Sequence, residues 1–290
     1  MSTVPDNFLG LEPRNSDYKT AGFAVLPIPY DATASFLSGT RHGPSAIITA
    51  SQQVDLFDEE LEAEYYKVGI ATLDPIAPER TGPESMHQAI FKTARRVVKD
   101  GKFLFGLGGD HSVTSGLVRA VMTRHKKLSV LQLDAHLDLR DSYEGSKYSH
   151  ASVMRRVFDY GATIVPVGIR NTAAEESRFL KRSGVVPVTV KQTLYDDDWI
   201  DRVLDALGDK VYVTLDIDGF DPAYAPGTGT PEPGGMDWHQ VTALLRLVAA
   251  EKTVVAADIV EVMPIPGQVV TEYLAARLAY KLICYVQARG

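Results

Sequence analysis

The chain has 290 residues, 45% hydrophobic and 23% charged, a composition that excludes disordered, collagen-like and coiled-coil classes. Thirty Lys and Arg against thirty-seven Asp and Glu leave a net charge of −7, so the overall field repels polyanions, argues against nucleic acid as a partner and favours a neutral or cationic ligand. No apolar run reaches the roughly 18 to 20 residues that cross a bilayer, and the polar start lacks a charged-then-apolar leader, so the expectation is a cytoplasmic protein with no membrane partner.

Taken in chain order, short β-rich apolar runs at residues 23–26, 103–106, 129–133, 163–167, 211–215 and 253–257 alternate with amphipathic stretches. Helical spacing is visible at Ile90, Phe91, Ala94, Val97 and Val98, at Leu117, Val118, Val121 and Met122, and at Leu274, Leu278 and Leu282. This alternation predicts an α/β fold built on a parallel sheet. No Ser/Pro/Gly-rich linker and no repeat divides the chain, so residues 1–290 are read as one domain. In such a sheet, ligands bind beyond the carboxyl ends of the strands, so polar residues there are the first candidates for chemistry.

Three of the predicted strands end in this way. The run 129–133 leads into Asp134-Ala135-His136-Leu137-Asp138, whose alternation, if extended, places Asp134, His136 and Asp138 on one side. The run 211–215 leads into Asp216-Ile217-Asp218, and 103–106 into Gly108-Gly109-Asp110-His111-Ser112, whose glycines permit a tight turn. A lone Asp-x-Asp at a strand end is ordinarily a cap or a turn. Four carboxylates brought together at one sheet edge, however, repel one another unless cations neutralise them. The one cysteine, Cys284, excludes a thiolate cluster, so a metal would take oxygen and nitrogen ligands, a set that favours Mn²⁺. Six donors suit two ions, which lower the pKa of a shared water and supply hydroxide near neutral pH.

These three segments closely resemble, in order and spacing, the metal signatures of the arginase/agmatinase ureohydrolases. Gly227-Thr228-Gly229-Thr230-Pro231, Glu261-Val262-Met263-Pro264 and Arg41-His42-Gly43-Pro44 extend the resemblance over nearly the whole chain. It implies a three-layer α/β/α sandwich around an eight-stranded parallel sheet and a trimeric or hexameric homo-oligomer. One Mn²⁺ would take His111 and Asp138, the other His136 and Asp218, with Asp134 and Asp216 bridging both. Asp138 would orient the nucleophile, His150 shuttle a proton to the leaving amine, Glu261 pair with the substrate guanidinium and Thr230 add a hydrogen bond beside it. The charge count agrees: two divalent ions, four carboxylates and one hydroxide sum to −1, which a guanidinium neutralises.

Arg140-Asp141-Ser142-Tyr143-Glu144-Gly145 looks like the corresponding stretch of agmatinase-type members, and Gly168-Ile169-Arg170 is followed by Asn171-Thr172-Ala173 where arginases place acidic residues that hold the α-amino group. Agmatine is therefore the expected substrate, giving urea and putrescine, a step of polyamine biosynthesis. Guanidinobutyrate and guanidinopropionate stay open, as does arginine, because Arg140 and Arg170 have two readings: partners for a carboxylate tail, or scaffold residues satisfying loop carbonyls. Two further readings are another two-metal hydrolase, such as a phosphoesterase, and a catalytically silent metal-binding subunit. A missing phosphate clamp opposes the first, and retention of His150 and Glu261 the second.

Overall fold

The computed structural model describes residues 4–289. Eight parallel strands form one sheet in the order β2-β1-β3-β8-β7-β4-β5-β6, where β1 is Phe23–Ile28, β2 Ile70–Thr72, β3 Phe103–Gly108, β4 Ser129–Leu133, β5 Thr163–Ile169, β6 Val188–Thr189, β7 Lys210–Asp216 and β8 Thr253–Val260. The six predicted strands are all present. The two that composition did not reveal, β2 and β6, are three and two residues long and occupy the sheet edges, too short to leave a periodic signal.

Alternate side chains of each strand enter opposite cores, which is why the sheet carries helices on both faces. Phe23 and Val25 of β1, and Val211, Val213 and Leu215 of β7, pack with helices Gly43–Ser51, Trp199–Ala206, Trp238–Glu251 and Val270–Ala288. Ala24, Leu26 and Ile28, with Tyr212, pack on the other face with helices Pro83–Lys99, Thr114–Val121, Val153–Asp159 and Ala174–Ser183. Each fully buried Leu, Ile or Val contributes roughly 1.5–3 kcal/mol relative to exposure. Cys284 is buried in the first of these cores, as its apolar surroundings in sequence suggest. Among the described residues no helix is long and apolar enough to cross a membrane.

Parallel pairing places the carboxyl ends of β3, β8, β7 and β4, four neighbours at the sheet centre, along one edge. Register completes the alignment. Leu133 pairs with Leu215, so Asp134 and Asp216 emerge side by side, while Asp216 itself pairs with Val260, one residue before Glu261.

His87 joins two helices beneath this edge. Its Nδ1 lies 2.9 Å from Ser115 Oγ, whose own hydrogen goes to the Ser112 carbonyl, and its Nε2 accepts from Arg119 and Tyr160 OH. Every partner suits a neutral ring, and burial, then Arg119, lowers its pKa from 6.5 to about 4. The unfolded chain therefore binds an extra proton in that window, so the stabilisation is complete above pH 6.5 and is lost as pH falls towards 4. The loss amounts to about 3 kcal/mol at most. Urea denaturation of wild type at pH 7 and pH 4.5 is expected to show a larger drop in stability than the same pair of measurements on His87→Gln.

Candidate metal and guanidine site

Asp110, at the end of the β3 segment, opens a short helical turn, His111–Val113, by accepting from Ser112 N–H. Gly109 lets this turn lie against the segment that follows β1, since a Cβ there would sit 1.9 Å from the Tyr30 carbonyl oxygen. The turn delivers His111 Nδ1 to within 3.1 Å of Asp134 and of Asp138 and 3.2 Å of Asp216. On the other side, His136 Nδ1 lies 3.0 Å from Asp218 and 3.7 Å from Asp134. Two donor groups result, His111/Asp134/Asp216 and Asp134/His136/Asp218, with Asp134 common to both and all donor atoms within 4.8 Å in each.

All six predicted ligands thus converge, but not by simple alternation along an extended strand. Strand β4 stops at Leu133, and Asp138 takes a left-handed backbone conformation, φ 53°. That turn, rather than a period of two, brings its carboxylate back to His111. Glu261 is left-handed as well, φ 61°. Such conformations are costly for residues with a Cβ and are held by their surroundings. Glu261 N–H donates to the Gly109 carbonyl at 2.8 Å, and its Oε1 accepts from His111 N–H at 2.7 Å, leaving Oε2 for another partner.

The donor chemistry fits a metal. Thr214 Oγ1 gives its hydrogen to Asp258 at 2.6 Å, so towards His111 Nε2, 3.0 Å away, it can only accept. His111 therefore carries a hydrogen on Nε2, and its Nδ1, fully buried and without a hydrogen-bond partner, faces three carboxylates. Lone pair against anion is repulsive unless a cation lies between them. The titration behaviour expresses the same demand for positive charge. Burial opposes charging of His136, yet hydrogen bonds to Asp134 and Asp218 push it up to about 12. Burial, then the neighbouring acids Asp218 and Asp134, raises Asp216 well above the usual carboxylate range. Burial, then Asp134, raises Asp138. Glu261 is raised well above its usual range by burial and then by Asp110.

A cavity of about 190 Å³ opens onto these groups, and His150, Thr230 and Glu261 line it with Asp138, Asp216 and Asp218. His150 begins a short helical turn, His150–Ser152, ahead of helix Val153–Asp159. Thr230 Oγ1 lies 3.4 Å from Asp218 Oδ2, so its hydroxyl leans on a candidate ligand. Arg170 proves to be a scaffold residue: its guanidinium donates to the carbonyls of Asp218 and Glu232 at 2.6 and 2.7 Å, and to those of Gly168, Gly219, Phe220 and Pro233. Arg140 lines the cavity but pairs with Glu175 at 3.3 Å and stacks 4.8 Å from the Tyr143 ring.

Thr214 and Asp258 were not anticipated from sequence. Asp258 is a fully buried carboxylate inside apolar strand β8 and accepts from Thr114, Tyr212 and Thr214. An acid immediately after the predicted apolar run 253–257 was its one visible signal. Thr214, an ordinary strand residue, carried none.

A parallel sheet with hard donors gathered at its central strand ends defines a metal-dependent type of α/β protein, and comparison with known proteins identifies the group. The Arginase family model matches residues 21–284. The N(1)-aminopropylagmatine ureohydrolase of Synechocystis sp. is 38% identical over 288 residues, covering 97% of this chain and 94% of that protein. The agmatinase of Pyrococcus horikoshii is 33% identical over 273 residues, covering 92% and 93%. The crystal structure of the agmatine ureohydrolase of Thermoplasma volcanium superposes with a TM-score of 0.87 at 31% identity, covering 97% of this chain and 94% of that one. The chain belongs to the arginase family. It is a ureohydrolase, a hydrolase acting on amidino groups.

Proposed function

We propose that the protein holds two Mn²⁺ ions and hydrolyses the guanidino group of an amine-tailed alkyl guanidine, agmatine or its N(1)-aminopropyl derivative, to urea and the corresponding amine. His111, Asp134, Asp138 and Asp216 would hold one ion and His136, Asp218, Asp134 and Asp216 the other. The bound ions supply a water of lowered pKa and neutralise the four carboxylates. Glu261, with Oε1 engaged by His111 N–H, offers Oε2 to the substrate guanidinium and fixes its carbon beside the donor groups. Asp138 orients the attacking water, and His150 carries a proton towards the departing nitrogen. Thr230 adds a hydroxyl at the same wall of the cavity.

The observation that carries the choice of an amine tail is the state of the two arginines. Arg170 spends its donors on six carbonyls and Arg140 is neutralised by Glu175, so neither is free to receive the carboxylate of guanidinobutyrate, guanidinopropionate or arginine. The net charge of −7 favours a dication or trication over the net-neutral guanidino acids or singly charged arginine. The longer substrate has its own support, since the Synechocystis relative carries that activity in its name. Urea release by the Mn²⁺-loaded protein is expected to give kcat/KM at least about 100-fold higher for agmatine or N(1)-aminopropylagmatine than for the three carboxylate-bearing guanidines, the difference a buried, unpartnered carboxylate produces. Equal rates on guanidinobutyrate would overturn the amine-tail reading, and the ratio between the two amines ranks them.

A further inference from the structure

His150 is held by a loop from the opposite side of the cavity. Residues 31–41 leave β1 and return through a neck in which Asp31 accepts from Gly39 N–H at 2.9 Å and from Arg41 Nε at 3.0 Å. Inside this loop, Thr33 is buried and reaches down to Asp110, a carboxylate with no exposed surface. Asp110 Oδ2 accepts from Thr33 N–H at 2.9 Å and from Thr33 Oγ1 at 2.8 Å, while its Oδ1 accepts from Ser112 N–H at 3.1 Å and from the Ser112 hydroxyl. One acid thus ties the His111 turn to the loop.

Thr33 in turn meets His150 twice. His150 N–H donates to Thr33 Oγ1 at 3.0 Å, and His150 Nδ1 lies 3.4 Å from the same oxygen. A threonine hydroxyl has one hydrogen. Since Asp110 takes that hydrogen, Thr33 presents only lone pairs to His150, and the ring satisfies it by carrying a hydrogen on Nδ1. Ser149 Oγ, also 3.4 Å from Nδ1, has both donor and acceptor roles available and does not oppose this arrangement. The other ring nitrogen, Nε2, faces Ser35 Oγ at 3.4 Å, and Ser35 lines the catalytic cavity.

We propose that Thr33 is a positioning residue that locks neutral His150 in the Nδ1–H tautomer, with Asp110 making Thr33 an obligate acceptor and Nε2 the atom that exchanges protons. In the reaction, Nε2 receives a proton from the attacking water as the oxygen–carbon bond forms. It returns that proton to the alkyl nitrogen as the carbon–nitrogen bond breaks, the oxygen's second proton passes to the released amine so that guanidinium plus water becomes urea plus alkylammonium, and Nδ1 keeps its hydrogen throughout. The proton-carrying role rests on the hydrolysis proposed above. The tautomer rests on the hydrogen-bond geometry alone.

The test is ¹⁵N NMR of the full-length protein labelled at histidine nitrogen and loaded with Zn²⁺ as a diamagnetic ion, at pH 8, with His150 assigned by its loss in His150→Asn. The expected spectrum has a protonated Nδ1 and an unprotonated Nε2. Thr33→Val, which keeps the shape and removes the acceptor, is expected to populate the opposite tautomer and to lower kcat about 10-fold or more with KM and metal content unchanged, as a mis-set tautomer does elsewhere. Thr33→Ser restores the wild-type tautomer and most of kcat. A wild-type ring protonated on Nε2 would overturn the proposal, and this reading stands even if Thr33→Val fails to fold. So would a Thr33→Val protein that keeps Nδ1–H and a kcat within twofold. Protonated Nδ1 in a protein that releases no urea from any guanidine would support the positioning by Thr33 and overturn the reaction instead.

Discussion

Replacing Asp134 by Asn is expected to lower urea release by about 10³-fold or more and to reduce the metal content at both positions, the scale of effect that follows loss of a shared ligand. Asp134 belongs to both donor groups. Its Oδ1 also accepts from His136 N–H at 2.6 Å and its Oδ2 from Gln132 Nε2 at 2.8 Å. Asparagine keeps the volume and one acceptor oxygen, so the β4 terminus retains its shape while the charge is lost. The comparison is made by metal analysis and circular dichroism alongside activity. A folded Asp134→Asn protein that still binds two ions and turns over within tenfold of wild type would contradict the shared-ligand assignment.

The second large effect is at Glu261. Glutamine there can still accept from His111 N–H through its amide oxygen, so the local hold on the His111 turn survives while the negative charge facing the cavity is removed. A planar carboxylate–guanidinium pair in a desolvated site supplies both charge and orientation. Glu261→Gln is accordingly expected to lower kcat/KM by about 10³-fold, with metal content and thermal stability close to wild type. Steady-state kinetics and metal analysis on the same preparation check it. Loss of metal together with activity would make Glu261 a support for His111 rather than a substrate partner.

Much of this site is legible in the amino-acid sequence because its donors follow apolar strands directly. Asp134, Asp216 and His111 each sit within a few residues of a buried run, and parallel topology then carries them to one edge. What could not be read is the path by which they meet. Extended alternation predicts the convergence of Asp134, His136 and Asp138, whereas the chain achieves it through a left-handed Asp138, a conformation set by tertiary surroundings. The residues that orient the histidines were equally hidden. Thr33, Thr214 and Asp110 act through where their single hydrogens or lone pairs point, and that information exists only once residues 77 to 117 positions apart are in contact. Arg170 illustrates the opposite case: two roles were open from sequence, and the six carbonyls around it decide for the scaffold.

The most direct test of the central claim, a two-ion ureohydrolase of amine-tailed guanidines, is urea release measured against metal occupancy on one preparation, with agmatine and N(1)-aminopropylagmatine as substrates. The metal-free protein is expected to be inactive, activity to rise as Mn²⁺ approaches two ions per chain, and chelation to abolish it reversibly. Urea release that is complete with no ion bound, or no urea from either amine with both ions in place, would contradict it.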